Sequence, residues 1–180
     1  DLDRVFKWMK TWQLELSLTK CSALHLGFGN PLNDYVLDGF VVQNVRHQKD
    51  LGVYISNDLK FHYHIGIVCR RAMSVSAMIW RRFVTREPEV LKSLFIIYVR
   101  PILEYTSEVW SPTLLGDIDR LENCQRAFTK RFPDLNGFSC KERLNALKLD
   151  SLELRRLFKD LVITFKIVNG FVNLDCADFY

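Results

Sequence analysis

The 180-residue chain contains no Cys-x-x-Cys pair, no adjacent aspartates, no internal repeat and no low-complexity tract. Its five cysteines, Cys21, Cys69, Cys124, Cys140 and Cys176, are odd in number and widely spaced. That pattern argues against a disulfide framework and against a zinc ribbon. They read instead as reduced, small core residues of an intracellular protein. Long apolar runs are also missing, since Lys166 interrupts "LVITFKIV" and "LFIIYV" stops at Arg100. Neither approaches the ~20 residues that span a bilayer, so no membrane partner is expected. The amino terminus lacks a signal-peptide pattern. It opens on Asp1 rather than Met, which reads as a fragment or a processed chain.

What is present suits a folded protein. Hydrophobic residues make up 48% and charged residues 26%, and thirteen Phe, six Tyr and four Trp supply bulky core material. That is enough for one sizeable core, or for a small domain with an appended one. The net charge is +4, and its distribution says more than its size. Residues 1–60 balance seven Lys/Arg against seven Asp/Glu, so the excess lies in residues 61–180, with eighteen against fourteen. Within residues 61–86 there are five arginines, Arg70, Arg71, Arg81, Arg82 and Arg86, and no acid. A local excess of this kind attracts polyanions, nucleic acid above all; a basic but merely solvated helix face is the alternative.

The hydrophobic period changes along the chain. Leu2, Val5, Met9, Trp12 and Leu16 recur at steps of three and four, predicting an amphipathic helix over 1–16. Residues 21–56 break into short β-branched and aromatic runs separated by Gly29-Asn30-Pro31 and Asp38-Gly39, which predicts a small antiparallel sheet. From residue 59 the pattern becomes helical. Phe61, Ile65, Val68, Ala72, Val75, Ile79 and Phe83 predict a long helix. A second helix is expected over 88–99, with Pro88 in its first turn and Pro101 breaking or restarting it. Asp117 is expected to cap a helix through "IDRLENCQRAFTKRF", Ser139 and Glu142 to form a capping box, and Ser151 to start a last helix ending near Gly170. The expected class is α+β: a small antiparallel sheet with a helix, followed by an all-helical portion.

Four segments resemble, in order, the reverse transcriptases of non-LTR retrotransposons of the jockey, CR1 or RTE type. "FKWMKTWQLELSLTKC" (6–21) is similar to the motif D segment that follows their catalytic loop. "KDLGVYISNDLKFHYHI" (49–65) resembles the motif E hairpin. "YVRPILEYTSEVWSP" (98–112) and "IDRLENCQRAFTKRF" (118–132) resemble the thumb and its adjoining helices. The resemblance implies a rear palm segment over 1–58, a thumb-like segment over 59–132 and a helical extension over 133–180. It further implies an RNA-directed DNA polymerase that works on an RNA template and a DNA primer, in the nucleus, together with fingers and palm from upstream in the same polyprotein. Such enzymes use Mg2+ held by an aromatic-x-Asp-Asp turn and a third Asp. That turn is absent here and is expected upstream of Asp1, so the chain alone is expected to be inactive and to hold no metal. Asp1 and Asp3 read as helix-start residues.

The same resemblance nominates Lys20 as the motif D general acid for the departing pyrophosphate; a surface lysine is the alternative. It nominates Leu51, Gly52 and Val53 as the turn that supports the primer end, against a plain strand glycine. The residues themselves nominate Arg70, Arg71, Arg81 and Arg82 for phosphate contact. Arg70 and Arg81 share one helix face, and Arg71 and Arg82 share the next. His62, Tyr63 and His64 lack the company of a metal cluster. Tyr98, Tyr105 and Trp110 read as packing residues, with base stacking as the alternative. A non-enzymatic nucleic-acid-binding module and a helical protein-interaction domain remain rival readings.

Overall fold

Gln13 decides where the first helix ends. It takes a left-handed φ of 54°, and Leu14 and Gln13 then donate their N–H groups back to the Met9 and Lys10 carbonyls at 2.9 and 3.2 Å. This is the backbone signature of a closed C-terminus. Helix α1 therefore spans Leu2–Thr11 and stops short of the expected residue 16. No described residue of α1 is buried. Trp8 and Trp12 do meet, with ring centroids 6.2 Å apart, but both stay more than half exposed. The computed structural model describes residues 2–175 and 177, so Asp1 and Cys176 lie outside the described residues.

The strands that follow are short: β1 (Ser22–Leu24), β2 (Val36–Leu37), β3 (Phe40–Val41), β4 (Gln43–Val45), β5 (His47–Asp50) and β6 (Val53–Ser56). Two hairpins form where expected. Asp38 and Gly39 take φ of 50° and 80° between β2 and β3, and Leu51 and Gly52 take 43° and 94° between β5 and β6. Both central positions are positive, the geometry that matches strand twist in a two-residue turn. The strands form three separate two-stranded sheets in place of the one antiparallel sheet expected, and in one of them β1 pairs with β4 in parallel, Ala23 opposite Asn44. Residues 25–42, carrying the β2–β3 hairpin, supply the long crossover that a parallel pair requires.

Helix α2 (His62–Arg82) starts against the β5–β6 hairpin. The Tyr54 N–H donates to Nδ1 of His64 at 3.3 Å, and the Tyr63 ring stacks on His47 with centroids 3.8 Å apart. Further along, α2 buries Ile65, Cys69, Ala72, Ser76, Ile79 and Trp80. The expected stripe is thus rotated: Val68 and Val75 are only half-buried and Phe83 is exposed. Trp80 causes the rotation, because its large ring packs on Phe128 and Phe132 at 5.4 and 5.5 Å.

Of the two outcomes expected at Pro101, the structure shows a restarted helix and not a break, with the proline in the first turn of the new segment. Helix α3 (Pro88–Leu94) passes into a π-helical turn over Phe95–Val99 and on into α4 (Arg100–Glu104). In an α-helix the proline ring would strike the carbonyl four residues back. The wider π turn, in which the Arg100 N–H reaches the Phe95 carbonyl, shifts the register just before the proline.

Short α5 (Ser107–Trp110) then leads to α6 (Leu115–Thr129), α7 (Cys140–Leu147) and α8 (Leu152–Val168). Asp117 lies within the first turn of α6 rather than capping it, a place that still favours a carboxylate. The capping box is complete: Ser139 N–H donates to Glu142 at 2.7 Å, and Glu142 N–H to the Ser139 hydroxyl at 3.3 Å. Ser151 caps α8 by accepting from Leu154 N–H at 3.1 Å, and Gly170 follows its end with φ of 67°. The chain is an α+β protein of two units, Asp1–His64 and Ile65–Tyr180.

In the helical unit, Phe128 touches Trp80, Phe95 and Phe132, so one ring of α6 joins α2 to the α3–α4 segment. On the other side, the buried Glu104 carboxylate receives Arg155 at 2.5 and 3.1 Å, and Lys159 donates to its carbonyl at 2.8 Å. Phe128→Ala is expected to cost about 3–5 kcal/mol of stability in urea unfolding. A pH effect follows from His64, whose imidazole burial holds below its ordinary 6.5. The unfolded chain takes up this proton near that value and the folded chain only at lower pH, so stability falls as pH drops below about 6.5. His64→Gln is expected to remove that part of the loss, read as urea midpoints on either side of the window.

Candidate nucleic-acid interface

Helix α2 carries no carboxylate at all, and its four nominated arginines, Arg70, Arg71, Arg81 and Arg82, are all exposed. At about 100° per residue, Arg70 and Arg81 lie on one side of the exposed arc and Arg71 and Arg82 on the other. Arg81 is partly committed, its Nε donating to the Ala77 carbonyl at 3.2 Å.

The Arg70 side opens onto α6 and α7. A groove of about 550 Å³ lies there, lined by Gly66, Cys69, Arg70 and Met73 of α2, by Arg120, Asn123, Cys124, Arg126 and Ala127 of α6, by Lys130 just beyond it, and by Arg143 of α7. Five cations line it and no carboxylate does. Two are held by the protein: Arg126 by Asp119 at 2.8 Å, and Arg143 by the Phe138 carbonyl at 2.6 Å. Arg70, Arg120 and Lys130 have no hydrogen-bond or ion-pair partner among the described residues.

The floor of the groove is apolar and close-packed. Cys69 donates to the Arg120 carbonyl at 3.6 Å, and Cys124 reaches the same carbonyl at 3.6 Å. The neighbouring Cys124 thiol lowers the Cys69 pKa. The Cys69 thiol, followed by burial, pushes Cys124 up. Gly66 leaves room for a neighbour, since a Cβ there would sit 3.3 Å from the Arg120 guanidinium nitrogens. Beyond the far end of α2, Arg86 and Arg131 lie over the Trp80 ring at 5.4 and 5.7 Å, continuing the basic surface.

Arg120, Arg126, Lys130 and Arg143 were not singled out by sequence reasoning. For Arg120, Arg126 and Lys130 the signal was present as a basic density in "IDRLENCQRAFTKRF", but which of them would face α2 depends on how α6 packs; Arg143 stands apart, in α7. The remaining nominated residues lie in the other unit. Lys20 ends a 3-10 turn (Leu18–Lys20), is exposed, and stands at the rim of a mainly apolar cleft of about 550 Å³ between α1 and β1. Leu51 and Gly52 are the two turn residues of the β5–β6 hairpin, with Leu51 86% exposed, while Val53 is buried.

His64 is committed to the Tyr54 backbone. Trp110 is buried and donates from Nε1 to the Tyr105 carbonyl at 2.8 Å, whereas Tyr98 and Tyr105 are exposed. Among the described residues no three His, Cys, Asp or Glu side chains are grouped to hold a metal ion. No described helix is long and apolar enough to cross a membrane.

No protein-family model, curated protein or solved structure matches the chain. Gly66→Ala is expected to raise stability by about 0.5–1 kcal/mol, because helix propensity gains while only the far end of the Arg120 side chain must move. Thermal unfolding measures this.

Proposed function

We propose that this chain grips nucleic acid through its phosphates, as the primer- and template-holding part of an RNA-directed DNA polymerase of the non-LTR retrotransposon type. The observation that carries the reading is the groove between α2, α6 and α7, with five cations, no carboxylate among its lining residues, and three of the cations unpaired. Such a surface neutralises a sugar-phosphate backbone and positions it without reading bases. Exposed Arg71, Arg81 and Arg82 extend the positive surface along α2. The polymerase assignment rests on the four collinear resembling segments. Within it, Lys20 serves as the acid for pyrophosphate and the Leu51–Gly52 turn supports the primer end. The sequence has no adjacent aspartates, so the reading gives this chain binding and not nucleotide transfer.

A second reading is a nucleic-acid-binding module without polymerase chemistry. It is favoured by the placement of every groove residue within the single unit Ile65–Tyr180. Both readings share one binding test. A labelled primer–template duplex is titrated with the chain at several salt concentrations. Binding is expected with a dissociation constant of about 1–100 μM at physiological salt, tightening steeply as salt is lowered. The double variant Arg70→Glu, Arg120→Glu is expected to weaken binding and to make the log–log salt slope shallower by about 2. An unchanged slope would remove the groove from the interface. The chain alone is expected to incorporate no nucleotides; incorporation would overturn the division between binding and chemistry.

A further inference from the structure

Helix α8 turns an apolar face to solvent. Leu154, Leu157, Phe158, Leu161, Phe165 and Val168 are each more than half exposed, and Phe171, 70% exposed, stacks on Phe165 with centroids 6.0 Å apart. At about 100° per residue these positions fall on one side of the helix, away from buried Leu152, Arg156 and Ile167. Arg155 and Lys159 point elsewhere, held by Glu104. Apart from Glu153 at its margin, the face carries no charge, so it does not suit nucleic acid.

The face is large. Three phenylalanines and four aliphatic side chains exposed to this degree offer roughly 800 Å² of apolar surface. A monomer's largest apolar patch is usually about 300–600 Å², whereas each partner of a standard protein interface contributes about 800 Å². The pattern is also self-complementary. Around Leu161 the apolar residues stand three and seven positions before (Phe158, Leu154) and four and seven after (Phe165, Val168). A two-fold axis beside Leu161 would set Leu154 opposite Val168 and Phe158 opposite Phe165. That is what an isologous contact demands.

We propose that the α8 face is a homodimer interface, with a second copy of this chain packed antiparallel across Leu161. This surface is independent of the basic groove. Sedimentation equilibrium of the full chain at micromolar concentrations is expected to show a monomer–dimer equilibrium, and Leu161→Glu to raise the dissociation constant by at least about tenfold. Circular dichroism checks that the variant keeps its helices.

Disulfide trapping, with Cys21, Cys140 and Cys176 replaced by Ser, tests the geometry. Leu161→Cys is expected to cross-link to itself, and Leu154→Cys to cross-link to Val168→Cys. Leu154→Cys alone is expected not to, because two copies of residue 154 would lie about 21 Å apart along the axis, beyond disulfide reach. A chain that stays monomeric, or efficient trapping of Leu154→Cys with itself, would overturn the proposal. So would a monomer that instead binds neutral phosphatidylcholine vesicles through this face.

Discussion

Phe128 stands where the helical unit converges. Its ring meets Trp80 of α2, Phe95 of the π turn and Phe132 just after α6. Such contacts stabilise by area and by ring geometry, and they tolerate little change in spacing. The groove depends on that spacing. Three residues earlier Gln125 is buried, and its amide donates to the Asp150 carbonyl at 2.9 Å, tying the lead into α8. Cys124 packs on Cys69 one position before that. With α6 fixed against α2 in this way, Arg120, Arg126 and Lys130 stand across from Arg70. The polar edge of the site is thus set by an aromatic contact on the opposite side of the same helix.

Local chemistry was the legible part of the fold. Asp38-Gly39 specified its turn because both positions accept positive φ, and the Ser139–Glu142 box closed because each side chain needs only a backbone partner three residues away. Where partners come from far along the chain, the pattern misled. Val68 and Val75 fit a helical stripe as well as Cys69 and Ser76 do, and only the position of the aromatic cluster shows which set turns inward. Gln13 is no usual helix stop, and nothing near it announces a left-handed residue. The parallel pairing of β1 with β4 was hidden because strand runs reveal a hairpin and not the direction of a crossover.

The candidate site divides along the same line. The arginines of α2 were visible because they are close in sequence and free of acids. Their partners lie some fifty to seventy residues onward, among residues that also serve the core. A basic side chain and a buried one alternate through α6, as with Arg120 beside Leu121 and Arg126 beside Gln125. A reading by composition sees that segment as ordinary amphipathic helix. Only packing against α2 gives its cations a common direction.

The π turn at Phe95–Val99 sets a phase. An extra residue in one helical turn offsets every later side chain by about 100° relative to a regular helix. Leu91 faces inward before the turn, Phe95 and Val99 within it, and Leu103 and Glu104 after it. With one residue fewer, the azimuth of Glu104 would swing away from Arg155, and the Pro101 ring would meet a carbonyl. The length of this segment is therefore counted as strictly as the teeth of a gear. Substitutions there trade one side chain for another, whereas an insertion or deletion of a single residue changes which face of α4 meets α8.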